Sequence, residues 1–155
     1  MMEEKEKAWK TVSSKYLFRR PWLTVRCEDM LLPNGNHIPE YYILEYPDWV
    51  NTIAITKDGK FVFVRQYRPR LGRTSYELCA GVCDKEDASP LVSAQRELWE
   101  ETGYGKGNWQ EYMVISANPS THTNLTHCFL ATNVEPIDHQ HLEDTEDLSV
   151  HLLTF

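Results

Sequence analysis

Hydrophobic and polar residues alternate along much of the first half of the chain, with the two-residue period of half-buried β-strands. The pattern predicts strands over residues 22–30, 40–46, 50–56, 60–66 and 75–80. Turn sequences follow the first and the third of these strands, at Pro33-Asn34-Gly35-Asn36 and at Lys57-Asp58-Gly59, and both are typical of hairpin connections. The N-terminal region, about residues 17–46, is therefore predicted to form an antiparallel β hairpin.

The pattern changes to that of a helix after Ser89. Ser89 is a favoured N-cap residue, Pro90 suits the first helical position, and Gly103 suits the residue that follows the last turn. The sequence therefore predicts a helix from Pro90 to about Thr102. At about 100° per residue, the stripe expected to pack on the sheet comprises Leu91, Ala94, Gln95, Leu98 and Thr102.

The second half of the chain alternates again, and three further strands are predicted over residues 109–117, 126–132 and 148–155. The acidic tract at 143–147 is predicted to be a solvated turn, as most charge runs are. His139 and His141 resemble a metal-binding pair, but no third ligand stands out nearby in sequence, which favours an ordinary surface loop. Strands with one helix predict an α+β fold, in a single domain over residues 1–155.

Composition and charge narrow the class of protein. A chain of 155 residues with 41% hydrophobic content can bury one substantial core. The net charge of −7 argues against a nucleic-acid-binding protein that neutralises phosphates. No apolar run approaches a membrane span, and residues 1–9 are charged where a signal peptide is apolar. The four cysteines form no C-x-x-C pair and are predicted to be reduced thiols of a cytoplasmic protein.

Three carboxylates share a second face of the predicted helix, those of Glu97, Glu100 and Glu101. Like charges one helical turn apart repel, so a cation is expected beside them, and Mg²⁺ prefers oxygen ligands of this kind. Arg96 is adjacent and can hold a carboxylate by a charged hydrogen bond. Taken alone, the same pattern also fits a solvent-facing acidic patch near a helix end.

The context of these glutamates resembles a known family. Residues 81–104 are similar to the Nudix box, G-x5-E-x7-R-E-U-x-E-E-x-G-U, in which U is a bulky aliphatic residue. The stretch from Arg96 to Gly103 matches position by position, and an aromatic residue, Tyr104, ends the motif. Segments 47–51 and 64–68 further resemble the branch that contains ADP-ribose pyrophosphatases. The resemblance covers about residues 17–155.

The chain departs from the family pattern at three places. The box is one residue longer before Arg96, which puts Ala88 where the family has its first glutamate; Glu86 or Asp87 could supply the carboxylate, and weakened activity is expected. The loop 117–125 lacks the catalytic glutamate that many ADP-ribose enzymes carry there, and His122 is its titratable side chain. The family commonly continues into a C-terminal helix, so a shortened chain is expected.

The resemblance implies a mixed β-sheet flanked by helices and assigns roles to individual residues. The carbonyl of Ala80 with Glu97, Glu100 and Glu101 would hold Mg²⁺ or Mn²⁺. Glu100, Glu101 and Arg96 would act in catalysis. The substrate-binding residues would be Arg68, Glu77, Arg65 and Trp49. Arg68 is the better of the two arginines for clamping a diphosphate, and Trp49 and Trp22 are candidates for stacking on a nucleobase.

The implied activity is a metal-dependent hydrolysis of the diphosphate bond in a nucleoside diphosphate linked to another moiety. ADP-ribose or another nucleotide sugar leads among the substrates. The alternative is a non-catalytic Nudix module that binds a nucleotide sugar as a sensor. Resembling enzymes are homodimers, and an isolated N-terminal hairpin would be marginally stable, so a homodimer is expected, with no nucleic acid or membrane partner.

Overall fold

The structure is a computed structural model that describes residues 7–154. This part of the chain contains eleven β-strands and one α-helix: β1 (Lys10–Arg20), β2 (Leu23–Leu31), β3 (His37–Glu45), β4 (Trp49–Thr56), β5 (Phe61–Arg68), β6 (Arg73–Glu77), β7 (Cys79–Val82), α1 (Pro90–Thr102), β8 (Tyr104–Gly105), β9 (Asn108–Ile115), β10 (Thr126–Pro136) and β11 (Leu148–Leu153). The prediction of an α+β fold is confirmed. Within these residues, α1 is neither long nor apolar enough to cross a membrane.

The chain divides into two compact units. The first contains the residues up to Tyr46 together with Ser116–Asn124, and the second contains Pro47–Ile115 together with Leu125–Phe155. The prediction of one domain over residues 1–155 remains a prediction. Each unit has its own β-sheet.

The first unit is an antiparallel sheet in the order β1-β2-β3. The predicted N-terminal antiparallel strands are confirmed, with β2 and β3 as the hairpin around Gly35, whose φ of 87° suits the turn. The predicted hairpin region, about residues 17–46, includes only the end of β1. All eleven residues of β1 are exposed, so this strand has no alternation of buried and exposed positions. Within residues 7–46 and 116–124 no hydrophobic side chain is buried; the buried residue is Glu28, which accepts hydrogen bonds from Arg26 and Thr11.

The loop that carries His122 belongs to this first unit and continues its sheet. The amide of Leu44 donates to the carbonyl of Thr121 at 2.8 Å, and the amide of Thr123 donates to the carbonyl of Leu44 at 3.1 Å. The ring of His122 packs against Tyr46 with centroids 5.3 Å apart. Backbone pairing therefore fixes this loop against β3.

The second unit is a mixed sheet in the order β11-β5-β4-β10-β8, with β6 on β5, β7 on β4 and β9 on β10. β4 and β10 run parallel and every other pair is antiparallel. The region predicted as a single strand, 75–80, is two short strands that break at Leu78, because β6 pairs with β5 whereas β7 pairs with β4. This break gives the residues on either side different neighbours.

The helix α1 begins and ends where the sequence predicts. Ser89 caps its N-terminus, accepting from the amide of Val92 at 3.4 Å, and Gly103 ends it with φ 72°. Its buried face differs from the expected stripe: Ser93 and Glu101 are buried, together with Ala94, Leu98 and Thr102, whereas Leu91 and Gln95 are exposed. The buried face is rotated toward β7, which places a carboxylate against the sheet.

Candidate active site

The apolar side of α1 fixes the helix on the sheet. Leu98 packs in a buried cluster with Cys79 of β7 and Val62 of β5, and Ala94 packs with Val50 of β4. Removing this much apolar surface from water is worth about 1.5–3 kcal/mol for a side chain such as Leu98. These contacts fix the position of the helix on the sheet and its rotation about its own axis. They therefore also fix the direction in which its glutamates point.

Glu101 is the buried carboxylate of the helix, with 5% of the residue exposed. Its Oε2 atom is buried and has no hydrogen-bond partner. Burial raises the pKa of Glu101 to about 7, and repulsion from Glu97 and Glu146 also raises it, although hydrogen bonds from Cys79 and the Ala80 backbone oppose the change. A buried carboxylate oxygen without a partner is costly unless a cation or a proton accompanies it.

Glu97 lies one turn earlier and faces the same strand. The space that it occupies exists because position 81 is glycine: a Cβ atom on Gly81 would lie 2.0 Å from Cδ of Glu97. Burial raises the pKa of Glu97, and Arg96 acts in the opposite direction. Glu97 and Glu101 therefore share one partly desolvated groove along β7.

Arg96 ties the helix to the loop that precedes it. Its Nε and Nη2 atoms donate to Asp87 at 3.1 and 3.0 Å, and its Nη2 also donates to the carbonyl of Val82 at 3.0 Å. Its Nη1 donates to Glu97 and to Glu100, each at 2.9 Å. Partial burial disfavours the charged guanidinium, yet its hydrogen bonds with Asp87 and Glu100 raise the pKa of Arg96 overall.

Of the two residues predicted to replace the first glutamate of the box, Asp87 is the one that contacts Arg96. It accepts from Arg96 and from the hydroxyl of Ser93 at 2.8 Å, whereas Glu86 is exposed. Burial works to raise the pKa of Asp87, but these hydrogen bonds from Arg96 and Ser93 lower it overall. The extra residue is accommodated in the loop, and the pairing of Arg96 with an acidic side chain is kept.

The acidic tract at 143–147 is a solvated turn, as the sequence predicts. All five of its residues are exposed, and the backbone amide of Glu143 donates to the carboxylate of Glu146 at 2.9 Å. The charge of Glu146 is also one of the causes of the raised pKa of Glu101.

Arg68 and Glu77 form an ion pair on the side of the sheet that α1 covers. Val62 contacts Leu98 there, and residues of β5 with the same parity, including Arg68, point the same way. Nε of Arg68 donates to both oxygens of Glu77, at 2.9 and 3.1 Å. The hydrogen bond with Glu77 raises the pKa of Arg68, and the charge of Glu101 raises it further. Arg68 and Glu101 therefore lie within electrostatic reach of each other.

Arg65 and Trp49 lie on the opposite side of this sheet. Arg65 alternates with the buried Val64 and lies over the ring of Tyr76, 5.8 Å from its centroid. Trp49 alternates with Val50, which packs toward α1, and is exposed. The predicted substrate residues are thus not all brought together: Arg68 and Glu77 accompany the helix, and Arg65 and Trp49 do not.

The groove fits a divalent metal ion. Glu101 offers a buried oxygen without a partner, and Glu97 and Glu100 are near enough to share one guanidinium nitrogen. Oxygen donors in this number suit Mg²⁺ or Mn²⁺. Ala80 lies beside Glu101 in β7, and its predicted role as a carbonyl ligand remains a prediction.

Sequence reasoning assigned no site role to two residues that contact the site. The thiol of Cys79 is buried beside Glu101, which together with burial raises the pKa of the thiol well above its usual value. Gln66 donates to Glu77 at 3.4 Å. For Cys79, the signal was present in its position directly before Ala80. For Gln66, the signal was the two-residue spacing to Arg68, which puts both on one face.

Two protein-family models match the chain. Residues 46–154 match the family described as NUDIX domain, and residues 9–44 match the family described as nucleoside diphosphate sugar hydrolase N-terminal domain. An ADP-ribose pyrophosphatase of Bacillus subtilis (strain 168) is 30% identical over 138 residues, which are 89% of this chain and 74% of that protein.

Two further relatives are similar over a smaller share of their own length. A methanol dehydrogenase activator of Bacillus methanolicus is 33% identical over 79% of this chain and 65% of that protein. An ADP-ribose pyrophosphatase of Mycobacterium tuberculosis (strain ATCC 25618 / H37Rv) is 28% identical over 85% of this chain and 63% of that protein. A crystal structure of an ADP compounds hydrolase superposes with a TM-score of 0.82 at 20% identity, over 97% of this chain and 80% of that chain. That superposition confirms the fold.

Proposed function

The chain belongs to the Nudix family, and from that premise we propose that it hydrolyses the diphosphate bond of ADP-ribose or of another nucleoside diphosphate sugar, with Mg²⁺ or Mn²⁺ as cofactor. The observation that carries the proposal is the buried, unpartnered carboxylate oxygen of Glu101 beside Glu97 and Arg96. Two relatives named ADP-ribose pyrophosphatase support the choice of substrate.

Each charged residue of the groove has a definite part in this proposal. Glu97, Glu100 and Glu101 would hold the metal ion, with the carbonyl of Ala80. The bound ion would neutralise diphosphate charge and lower the pKa of a coordinated water. Arg96 orients Glu97 and Glu100 through its hydrogen bonds, which limits the number of positions their oxygens can adopt.

Substrate binding is assigned to the arginine that lies on the side of the helix. Arg68 is held by Glu77, so its planar guanidinium is already oriented before a diphosphate arrives, and a bidentate contact with phosphate costs it less conformational entropy. Arg65 and Trp49 would contribute only if a nucleotide reaches the opposite side of this sheet.

The proposal extends to assembly and location. We infer a homodimer, because the sheet of β1, β2 and β3 buries no hydrophobic side chain of its own within the described residues. The four cysteines are all free, which favours a reducing compartment, and the cytoplasm is proposed on that basis.

The test is a panel of nucleoside diphosphate sugars and dinucleotides incubated with the protein, with phosphate measured after phosphatase treatment. Hydrolysis is expected with Mg²⁺ or Mn²⁺, and excess chelator should abolish it. Turnover that persists in chelator would contradict the metal assignment. Binding of a nucleotide sugar without hydrolysis of any compound would favour the sensor alternative. The observation that favours this alternative is Ala88 at the position of the first glutamate of the box.

A further inference from the structure

The connection between β10 and β11 brings two imidazoles and a carboxylate together near the C-terminal end of α1. Oδ1 of Asp138 lies 2.7 Å from Nδ1 of His139, and Oδ2 of Asp138 lies 3.0 Å from Nε2 of His141. The centroids of the two imidazole rings are 4.3 Å apart. One ligand atom from each of the three residues lies within 4.8 Å of the other two. The sequence analysis found no third ligand beside the two histidines, and the structure shows one in Asp138, which directly precedes His139.

These distances are close to those of a metal site. In a tetrahedral site with bonds of about 2.0–2.2 Å, neighbouring ligand atoms are about 3.3–3.6 Å apart. The two nitrogen-to-oxygen distances here, 2.7 and 3.0 Å, go to different oxygens of Asp138 and are shorter than this by about 0.3–0.9 Å, so the side chains would rotate apart to bind one ion. The side chain of His139 is 78% exposed and that of Asp138 is 38% exposed, so both can rotate toward an ion.

The backbone of the cluster is held by the last turn of α1. The amide of Asp138 donates to the carbonyl of Gly103 at 3.1 Å, and the amide of His141 donates to the carbonyl of Glu100 at 2.8 Å. The ring of His141 stacks on Trp99 with centroids 4.2 Å apart. The backbone is therefore ordered before any ion binds, and the C-terminal end of a helix carries partial negative charge that favours a cation.

We propose that Asp138, His139 and His141 form a second metal site, which takes a borderline-soft divalent transition metal such as Zn²⁺. Two imidazoles and one carboxylate are donors that suit Zn²⁺ and its neighbours, whereas Mg²⁺ prefers oxygen. The glutamates of α1 offer oxygen alone. The two sites would thus select different classes of metal.

The two oxygens of the Asp138 carboxylate each contact one of the imidazoles, Oδ1 that of His139 and Oδ2 that of His141. Binding of the ion displaces the hydrogen bonds between the three side chains and leaves the backbone contacts with α1 in place.

The experiment is calorimetric titration of Zn²⁺ into untagged protein, with millimolar Mg²⁺ present to occupy the glutamates of α1. The wild-type chain is expected to bind about one Zn²⁺ at this site. His139→Ala removes a ligand whose ring is mostly solvent-exposed, so the fold should be kept. Its affinity for Zn²⁺ should fall by at least ~10-fold, the lower end of what loss of even an outer-shell partner costs.

His37→Ala is the matched control, because His37 also pairs with a carboxylate, Asp29, at 3.0 Å and is exposed. It should bind Zn²⁺ as the wild type does. Zn²⁺ should also raise the melting temperature of the wild type and of His37→Ala, through binding to the folded state, and leave His139→Ala unchanged. The proposal is overturned if the wild type binds no Zn²⁺ or if His139→Ala binds it equally well. Loss of Zn²⁺ binding in Glu101→Gln, with His139→Ala unaffected, would place the ion on the glutamates and also overturn it.

Discussion

At the scale of single residues, the replacement of Glu101 by Gln separates chemistry from folding. The change keeps the shape of the side chain and removes a buried charge that has an unpartnered oxygen. The metal ion loses a ligand, and such ions contribute several kcal/mol to charge stabilisation in phosphate chemistry. At about 1.4 kcal/mol per factor of ten, turnover should fall by about two powers of ten or more, as measured by phosphate release under saturating Mg²⁺.

The control for this variant is Glu86→Gln, because Glu86 belongs to the box loop but is exposed. Its turnover and its midpoint of unfolding should both match the wild type. The assignment of the site is wrong if Glu101→Gln unfolds early while its remaining folded fraction hydrolyses substrate at the normal rate, because the carboxylate would then be structural.

The raised pKa of Glu101 predicts a pH dependence of stability in the metal-free protein. Its pKa is about 7 in the folded state against a usual value of 4.5. Between these values the folded state binds more protons than the unfolded state, so the contribution of Glu101 to stability falls as the pH rises from about 4.5 to 7. Above about pH 7 the contribution is constant, and the total loss is on the order of 3 kcal/mol.

Urea unfolding of metal-free wild type and Glu101→Gln at about pH 5 and pH 8 measures this effect. Gln resembles the protonated carboxyl, so the two proteins should have similar free energies of unfolding at about pH 5, and the variant should be the more stable at pH 8. Saturating Mg²⁺ at pH 8 should narrow or reverse the difference by stabilising the wild type. Equal stabilities at both pH values would show that burial does not raise this pKa.

At the scale of elements, α1 could be predicted to the residue because its ends are decided locally. Ser89, Pro90 and Gly103 meet the hydrogen-bonding and backbone needs of helix ends without reference to the rest of the chain. The buried face could not be read in the same way. Hydrophobicity pointed to Leu91, whereas packing against β7 buries Glu101 instead. A pattern based on apolar residues cannot predict that a charged residue such as Glu101 is buried. In this helix the buried charged residue is also a residue of the candidate site.

The packing of α1 on β7 gives a prediction for Gly81. A Cβ atom at this position would meet the carboxylate carbon of Glu97 at 2.0 Å. Since the clash is with the far end of a flexible side chain, Gly81→Ala should displace the Glu97 carboxylate and cost little stability. Turnover should drop at least ~10-fold, with a larger requirement for metal. Steady-state kinetics over a range of Mg²⁺ concentrations, beside a thermal melt, measure both effects.

Glu97→Gln is the companion to this experiment, because it removes the ligand without adding an atom to β7. Both variants should show the same direction of change in turnover and in metal requirement. If Gly81→Ala hydrolyses substrate as the wild type does while Glu97→Gln is impaired, the carboxylate reaches the metal from a second rotamer and the glycine is not needed to position it.

At the scale of the whole molecule, sequence reasoning found most strands and the partners joined by short turns, β2 with β3 and β4 with β5, but not the partners that lie far apart in the chain. Alternation reveals that β4 and β10 are strands, yet their parallel pairing joins residues more than seventy positions apart, such as Trp49 and Thr126. The break between β6 and β7 has the same origin. The hydrophobic pattern over residues 75–80 is continuous, but β6 pairs with β5 and β7 pairs with β4. Long-range pairing is therefore the part of this fold that local sequence signals do not specify.

The sheet of β1, β2 and β3 carries the last prediction, which is that the protein forms a homodimer. Large hydrophobic side chains of this sheet and its turns are exposed, among them Val12, Tyr16, Leu17, Phe18, Trp22 and Leu23. Exposed hydrophobic side chains in this number favour an interaction site, and a second copy of the chain can cover them through a two-fold interface. Light scattering at tens of micromolar should give twice the mass of the chain.

Phe18→Asp, on a fully exposed strand, should shift the mass to that of a monomer and lower turnover. Lys15→Asp on the same strand is the matched control and should stay dimeric. A wild-type monomer with full activity at that concentration would rule out the dimer as a requirement for catalysis.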